Sequence, residues 1–328
     1  MQKTSKIKQR ISWKKVQLLK KIYLAIDGGG TKTDAVLFSN SGKILSRAIG
    51  AGTNPNGMAF DQVTDHFRKL FLILFDGQRV TRLQGCFAGL SGADHPVLTQ
   101  RLTRSIQAAC PADIAHLQVG NDAMNALWSG TDGKPGMVVI AGTGSIAYGL
   151  HEDGRSFRIG GWGFLFGDEG SGYDIGRETI RQVLMEYDGR RPATALTGQV
   201  KDYFQVTAIP DIIPIVYQAR KDKIAGLVPL VAESAELGDS CARKILDKAA
   251  NQLIQLIGNG LEHFDTPPQV VLTGGVWKCI LIRQRVLQQM NRSFVFPACP
   301  PVWGSMARCL NEWEQSNDQI SELLKKQL

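Results

Sequence analysis

Short strand-like runs and one longer amphipathic segment alternate along the first part of the chain. Runs at 22–26, 35–38 and 44–50 are separated by a glycine-rich turn and by the polar turn SNSGK, which predicts three antiparallel strands. Residues 59–75 instead carry apolar side chains at helical spacing. The runs QGCFAGL and HLQV are typical of buried strands, and a helical segment follows each of them. Strands that alternate with helices predict an α/β fold with parallel strands, in which ligands bind beyond the carboxyl ends of the strands.

The opening pattern recurs after TDGKPG at 131–136, which is the best candidate for a linker. MVVIAGTGSIAYGLHEDGR repeats the order of apolar run, Gly/Thr turn, apolar run and polar turn that is found in YLAIDGGGTKTDAVLFSNSGK. When the two turns are aligned, Asp27 falls opposite Ala141. We interpret the pattern as an internal duplication, in which two related units would hold a ligand between them.

Predicted helices and strands also alternate in the rest of the chain. A glycine-rich loop enters a helix near Ser171, and several helices are expected between 194 and 264. QVVLTGG predicts a strand followed by a helix from about Lys278, and FVFP predicts a last short strand. PPVWGSMARCLNEW, which begins at a proline, and the amphipathic ISELLKK predict helices at the C-terminus.

The turn after Asp27 has the composition of a phosphate-binding loop. Glycines let a bulky anion approach the backbone N–H groups closely, and Thr31 and Lys32 add a hydroxyl group and a cation. Asp27 stands directly before the glycines, where its carboxylate could hold Mg²⁺ directly or through water. On this motif alone a plain glycine-rich hairpin is an equal alternative, and only the downstream motifs favour phosphate binding.

Composition places the chain among globular proteins without a membrane or nucleic-acid role. Its 328 residues suffice for two hydrophobic cores, and 43% apolar and 21% charged residues are ordinary values. The most apolar stretch, FLILF, is far shorter than the roughly 20 residues of a membrane span. The net charge of +8 comes from residues 1–21, which hold eight Lys or Arg and no acid, and the remainder is neutral.

The basic segment 1–21 lacks the continuous apolar region of a secretory signal. We interpret it as a disordered extension or an upstream start, in preference to an arm that touches anionic surfaces. Six cysteines are scattered without a CxxC pair, and five histidines form no HExxH pattern. These features predict reduced thiols, a cytoplasmic location and no zinc or iron centre.

Four motifs follow one another along the chain: DGGGTKT, AGTGS, GGWGFLFGDEGSGYDIG and LTGGVWK. Any one of them is weak, but together they resemble the sugar kinase branch of the actin-like ATPase superfamily. The resemblance is to the N-acetylglucosamine kinases and BadF/BadG/BcrA/BcrD-type ATPases in particular, and it covers about 22–310. It implies an α/β fold of duplicated ribonuclease-H-like (actin-like ATPase) domains with an interdomain cleft.

The domain bounds expected from this resemblance begin after the extension 1–21. The N-terminal domain would hold 22–132 together with a C-terminal helix at 305–328, and the C-terminal domain would hold 133–304. ATP and Mg²⁺ would lie between the two domains.

The resemblance assigns the catalytic role to Asp122. A sugar hydroxyl attacks phosphorus best when a positioned carboxylate accepts its proton, and Asp122 stands at the end of a predicted strand, just before a helix. The alternative is a structural helix N-cap, a role that either Asn121 or Asp122 could fill. Asp168 is the rival carboxylate, and its own structural alternative is an acid favourably placed near a helix N-terminus.

The other site residues are expected in three groups. Asp27 would hold the metal. The residues expected to bind the phosphates and the adenosine are Gly29, Gly30, Thr31, Lys32, Thr143, Gly144, Gly274 and Gly275. The residues that the resemblance implies for the sugar are Asn54, Ser145, Gly161, Trp162, Gly163, Asp168 and Glu169.

Alternatives remain open for several of these residues. Gly274 and Gly275 could form only a tight strand-to-helix turn, and Trp162 could stack on a sugar or fill the core. Trp277 and Trp303 are expected in the core, and Asp94, next to His95, in a solvated turn.

The function predicted from the resemblance is ATP-dependent phosphorylation of an amino sugar hydroxyl, with the 6-OH of N-acetylglucosamine as first choice. Glucosamine and N-acetylmuramic acid are alternative substrates. A BadF/BadG-type ATPase that activates a redox partner is the rival class, although no cysteine pattern for a cluster is recognisable. The expected partners are ATP and the sugar, with a homodimer left open.

Overall fold

The computed structural model describes residues 21–314 and 318–328. The predictions for the basic segment therefore concern residues that lie almost entirely outside the described ones. The described part is a mixed α/β protein with two main sheets and one small two-stranded sheet.

The first main sheet contains the three predicted antiparallel strands and two parallel ones. Its elements in chain order are β1 (Ile22–Gly28), β2 (Lys32–Ser39), β3 (Ile44–Ala51), α1 (Phe60–Leu74), β4 (Arg82–Leu83), β5 (Gly85–Leu90), α2 (Pro96–Ala109), β6 (Asp113–Ile114), β7 (Leu117–Asn121) and α3 (Asp122–Thr131). The strand order is β3-β2-β1-β5-β7, while β4 and β6 pair separately.

The register of the parallel strands positions the site. β1 pairs in parallel with β5, where Asp27 lies opposite Gly89, and β5 pairs in parallel with β7, where Leu90 lies opposite Asn121. The carboxyl ends of these three strands therefore meet at one edge of the sheet. Ligand sites of α/β proteins form at such edges.

The second main sheet repeats this arrangement. Its elements are β8 (Gly136–Ala141), β9 (Ser145–Leu150), β10 (Ser156–Gly160), α4 (Gly172–Tyr187), α5 (Leu196–Phe204), α6 (Ile212–Gln218), α7 (Lys221–Ala225), α8 (Val228–Glu236), α9 (Ser240–Leu261), β11 (Val270–Thr273) and α10 (Ile280–Met290). The strand order is β10-β9-β8-β11, with β9 antiparallel and β11 parallel to β8. These four strands match β3, β2, β1 and β5 of the first sheet in order and direction, which confirms the duplicated α/β fold.

One predicted strand is wrong. The segment FVFP contributes a single bridge, between Val295 and Val271, and no strand. Val295 still exchanges backbone hydrogen bonds with Val270 and Leu272, so it occupies the position that β7 has in the first sheet. Pro297, the last residue of this segment, lacks the N–H group that a longer ladder would need.

Two helices near the C-terminus, α11 (Val302–Trp313) and α12 (Asp318–Lys325), lie in the segments PPVWGSMARCLNEW and ISELLKK, whereas the expected domain bounds had one helix at 305–328. α11 packs on β1, β5 and α3. One hydrophobic core joins residues of both sheets with α3 and α11, and Trp303 is completely buried in it. Trp277 is buried in the core of the second sheet, so both tryptophans are core residues as predicted.

These contacts support our proposal that the chain divides near residue 132, with the C-terminal helices returning to the first unit. Among the described residues, no helix combines the length and the apolar character that crossing a membrane requires.

Candidate active site

The first glycine turn joins β1 to β2 at the edge where the parallel strands end. Gly28 allows close packing, because a Cβ there would lie 2.5 Å from Leu90 and 2.6 Å from Thr53. The Gly29 N–H group donates to the Lys32 carbonyl (2.9 Å), which closes the turn. Gly30, Thr31 and Lys32 are exposed at its tip, so their polar groups are accessible to a ligand.

Asp27 lies at the base of this turn and is held by a side chain of α3. The Asn125 Nδ2 group donates to Asp27 Oδ1 over 2.8 Å. Burial raises the pKa of Asp27 to about 6, while the bond from Asn125 and the charge of Lys32 oppose that rise. Since burial disfavours the ionised form of Asp27, a bound cation would stabilise this carboxylate strongly. Asp27 therefore fits Mg²⁺, which proteins bind through one or two carboxylates together with water and phosphate.

Asn125 belongs to a buried network that sequence reasoning missed. Its side chain is 0% exposed and also donates to the Gly89 and Ile26 carbonyls, each over 3.2 Å. The Ser305 hydroxyl of α11 lies 2.6 Å from Asn125 Oδ1 and 2.8 Å from the Ile26 carbonyl. The only signal in the sequence is helical spacing, since Asn125 follows Asp122 by three residues.

Asp122 is the first residue of α3, and the cap of this helix is its neighbour. Asn121 has extended backbone geometry, and its side chain accepts from the Ala123 N–H group (2.7 Å). Since Asn121 fills the cap, the Asp122 carboxyl is available for another role. Burial raises its pKa to about 7, with further contributions from the negative charges of Asp27 and Asp94.

Asp94 was expected in a solvated turn, but it contacts the start of α3, where Asp122 lies. It is exposed, yet its carboxylate accepts a hydrogen bond from Asn121 Nδ2 (2.6 Å) and its charge acts on Asp122. The turn that follows β5 is thereby tied to the start of α3. No pattern around GADHP indicates this contact.

The second turn, between β8 and β9, faces the N-terminus of α4. The N–H groups of Gly172 and Tyr173 donate to the carbonyls of Gly142 (2.7 Å) and Thr143 (3.1 Å). Thr143 is exposed at the tip, as Thr31 is in the first turn. The positive end of the α4 dipole therefore lies beside a turn that is open to an anion.

Asp168 lies against this second turn. Its Oδ1 accepts from the Ser145 N–H group (3.3 Å), and a Cβ at Gly144 would come within 2.9 Å of its Oδ2. Burial raises its pKa, while the Ser145 N–H group and the charge of Lys221 oppose the rise. Asp168 has a φ of 63°, in the left-handed region that non-glycine residues rarely adopt, which is typical of constrained functional positions.

A cavity of about 580 Å³ opens between the second turn and the end of β11. Gly274 has a φ of 112°, and a Cβ there would lie 2.3 Å from the Ala141 carbonyl, so the strand end fits against β8 only as glycine. Gly275 has no neighbour within 4 Å of its Cβ position and lines the cavity. The lining includes Gly142, Thr143, Gly172, Ala225, Pro229, Gly275, Val276 and Lys278.

The expected sugar residues divide between the two units. Asn54 lies in the first unit, where its Nδ2 group donates to Ser91 Oγ (3.1 Å) near the turn residue Gly30. Gly161 and Gly163 have φ values of 68° and 90°, which bend the chain sharply around Trp162. Trp162 is 68% exposed, so it does not fill the core.

Ser145 and Glu169 belong to the same loop region of the second unit. The Ser145 hydroxyl donates to the Glu169 carbonyl (2.8 Å), which ties the start of β9 to the loop before α4. The Glu169 side chain is exposed. Among the described residues, Asp27, Asp94 and Asp122 are thus drawn together in the first unit, and Ser145, Asp168 and Glu169 in the second.

Comparison with known proteins identifies close similarity over most of the chain. The N-acetyl-D-glucosamine kinase of Dictyostelium discoideum is 32% identical over 315 residues, which cover 89% of this chain and 98% of that protein. The N-acetylmuramic acid/N-acetylglucosamine kinase of Clostridium acetobutylicum is 33% identical over 266 residues, covering 78% and 85%.

Solved structures share the fold. A Chromobacterium violaceum protein assigned as an N-acetylglucosamine kinase superimposes with a TM-score of 0.73 at 26% identity, over 87% of this chain and 98% of that one. A ROK family glucokinase from Streptomyces griseus has a TM-score of 0.54 at 15% identity, over 88% and 97%, and shows the actin-like fold alone.

A model of the BadF/BadG/BcrA/BcrD ATPase family matches residues 24–298, which include both glycine turns, the Asp122 region and the end of β11. This match agrees with the duplicated topology and with the two sequence relatives. The chain therefore belongs to the BadF/BadG/BcrA/BcrD ATPase family.

Proposed function

We propose that this protein is an ATP-dependent kinase that phosphorylates an amino sugar hydroxyl, with N-acetylglucosamine as its substrate and the 6-OH as acceptor. The observation that carries the proposal is the Asp122 carboxyl. Asn121 takes the helix-capping role in its place, the charge of Asp122 interacts with that of Asp27, and burial raises the pKa of Asp122 to about 7. A base with such a pKa is suited to accept a proton near neutral pH.

The nucleotide is assigned to the cavity at the end of β11. Gly275 leaves room for the adenosine, and Gly274 lets the end of β11 pack closely on β8 beside it. Thr143, which lines the cavity, and its neighbour Gly144 would contact the phosphates from the second turn. Gly29, Gly30, Thr31 and Lys32 would contact them from the first turn. Asp27 would hold Mg²⁺, which supplies charge neutralisation at the phosphates.

The proposed reaction needs little covalent chemistry from the protein. The sugar oxygen forms a bond to the γ-phosphorus of ATP while the bond from that phosphorus to the bridging oxygen breaks, and ADP leaves. The hydroxyl proton passes to Asp122 Oδ. The protein therefore contributes position, charge and a proton acceptor.

Seven residues are proposed to hold the sugar. The choice of N-acetylglucosamine as substrate is supported by two relatives that are named for this sugar. Glucosamine, the substrate in the name of a Vibrio cholerae relative at 28% identity, and N-acetylmuramic acid are the alternatives. The proposed residues are Asn54, Ser145, Gly161, Trp162, Gly163, Asp168 and Glu169.

The test is an assay of ADP release by the full-length protein with N-acetylglucosamine, glucosamine, N-acetylmuramic acid, glucose and no sugar. We expect release only with an amino sugar, together with one phosphosugar product whose linkage is read by NMR. ATP turnover that does not depend on sugar and yields no phosphosugar would contradict the kinase and favour the redox-partner ATPase. Use of ATP and six cysteines without disulfides support a cytoplasmic reaction.

A further inference from the structure

A second cavity, of about 380 Å³, lies beside the proposed sugar loop. It is distinct from the nucleotide cavity, and all of its lining residues belong to the second unit. One wall is formed by Ser145, Gly160, Trp162 and Glu169. Its volume falls within the ~300–1,000 Å³ range of small-molecule sites.

The opposite wall is the helix α9, which presents a row of carboxamides. Gln252, Gln255 and Asn259 line the cavity, and their spacing of three and four residues places them on one helix face. Gln252 Oε1 is buried and accepts no hydrogen bond from the described residues. A buried acceptor without a donor is costly, so this atom indicates that a ligand or water donates here.

The chemistry of the lining favours a neutral, hydroxyl-rich group. Carboxamides both donate and accept, as vicinal hydroxyl groups do, and exposed Trp162 and Phe166 offer aromatic surface. The lining contains the carboxylate of Glu169 and no Lys or Arg. Arg158 stacks on Trp162, with its guanidinium carbon 4.0 Å from the ring centroid, and does not line the cavity.

We propose that this cavity is a subsite for a second sugar ring attached to the ring that is phosphorylated, and this rests on the proposed kinase function. The reacting hydroxyl must lie near Asp122 of the first unit, and Ser145, Trp162 and Glu169 of one cavity wall are proposed to hold the phosphorylated ring. The carboxamides of the opposite wall would therefore contact the part of the substrate that is farther from the reaction. The cavity is large for an acetamido group and lacks a cation for a lactyl carboxylate. The protein would thus accept amino sugar disaccharides as well as monosaccharides.

The test compares N-acetylglucosamine, di-N-acetylchitobiose and N-acetylmuramic acid as substrates of the full-length protein. For the disaccharide we expect a kcat/KM at least comparable with that of the monosaccharide, and a lower value for N-acetylmuramic acid. In the double variant Gln255→Leu, Asn259→Leu, the KM for the disaccharide should rise about tenfold, as expected when one or two neutral hydrogen bonds are lost. Its kcat should stay unchanged.

Gln284→Leu is the matched control, because this exposed carboxamide lies on α10 and lines a different groove. This variant should change neither the KM for the disaccharide nor the KM for N-acetylglucosamine. The subsite is overturned if the disaccharide neither binds nor competes with N-acetylglucosamine, if the double variant weakens both sugars equally, or if N-acetylmuramic acid is preferred over the disaccharide.

Calorimetric titration of di-N-acetylchitobiose without ATP separates this proposal from the kinase function. Binding that the double variant loses supports the subsite even if no sugar is phosphorylated. Phosphorylation of the monosaccharide without any disaccharide binding leaves the kinase intact and removes the subsite.

Discussion

Asn125 donates a hydrogen bond to Asp27 over 2.8 Å, and this bond ties the helix that begins with Asp122 to the strand that ends at the first glycine turn. Gly89 makes it possible, because a Cβ at that position would lie 2.3 Å from the Asn125 amide. The proposed base and the proposed metal ligand are therefore held by one rigid, buried connection. Catalytic groups that are fixed in this way need no rearrangement during the reaction.

Asn125→Leu should weaken the use of Mg²⁺ before it affects the sugar. Without the donated bond the Asp27 carboxylate is oriented less well and its pKa rises further, so the Mg²⁺ concentration for half-maximal activity should increase about tenfold or more. The measurement is a Mg²⁺ titration of ATP turnover, with sugar affinity measured separately by calorimetry. Ser305→Ala is the control, since Ser305 contacts Asn125 without touching Asp27. Equal losses in Mg²⁺ dependence and sugar affinity would contradict a positioning role.

Asp27→Ala should remove Mg²⁺-dependent turnover while sugar binding persists. The carboxylate is our proposed metal ligand, and it accepts a hydrogen bond from Asn125. Sugar binding by calorimetry and turnover across Mg²⁺ concentrations provide the two readouts. Turnover close to that of the unchanged protein would exclude the metal role.

Asp122→Asn should abolish turnover while it stabilises the ligand-free protein. The amide cannot accept the hydroxyl proton, yet it removes a partly buried negative charge that lies near Asp27 and Asp94. We expect a loss of at least about 10²-fold in kcat. We also expect a gain in unfolding free energy of about 1 to 3 kcal/mol at neutral pH. Denaturant unfolding and ADP release measure the two effects, and near-normal kcat would remove Asp122 from the base role.

The stability gain in Asp122→Asn should depend on pH. The folded protein raises the pKa of Asp122 to about 7 from its usual value of 3.8, so between these values the folded state binds more protons than the unfolded state. The contribution of this group to stability is therefore present below about pH 4 and is lost as the pH rises to about 7. The variant should match the unchanged protein near pH 4 and exceed it at pH 8. A pH-independent difference would contradict the raised pKa.

Activity should also depend on the ionisation of Asp122, but it should increase with pH, whereas the stability contribution of this group decreases. The base works only when it is ionised, so kcat/KM should fall as the pH decreases through about 7. The pH profile of ADP release at a fixed, saturating Mg²⁺ concentration measures this. A profile that is flat from pH 8 to 5 would show that Asp122 is ionised throughout.

Alanine substitutions at two neighbouring glycines at the end of β11 should have different effects on protein stability and on the KM for ATP. Gly274→Ala places a Cβ 2.3 Å from the Ala141 carbonyl in a left-handed conformation, and it should destabilise the protein by about 2 kcal/mol or more. Gly275→Ala meets nothing within 4 Å, so stability should hold while the KM for ATP rises. Thermal unfolding and ATP kinetics separate the two variants. An unchanged KM in Gly275→Ala would place the adenosine elsewhere.

Local pattern in the chain was enough to predict the duplicated architecture. Each strand and turn of the repeat is defined by neighbouring residues, so the alignment of YLAIDGGGTKTD with VVIAGTGSIAYG predicted two equivalent glycine turns. The three antiparallel strands and the helix that begins near Ser171 follow from the same short-range signals. The family could be identified for this reason, since its motifs are contiguous segments.

The electrostatics of the site depends on contacts between residues that are far apart along the chain. Asn125 and Asp27 are separated by 98 residues, and Ser305 contacts Asn125 from a helix near the C-terminus. The tertiary structure also decided between Asn121 and Asp122 as the helix cap, because either residue suits the position chemically. Burial, which sets the pKa of Asp122, arises only when α3 and α11 pack between the two sheets. The glycine turns were thus evident from neighbouring residues, whereas the burial that raises the pKa of the Asp122 carboxyl arises from long-range packing.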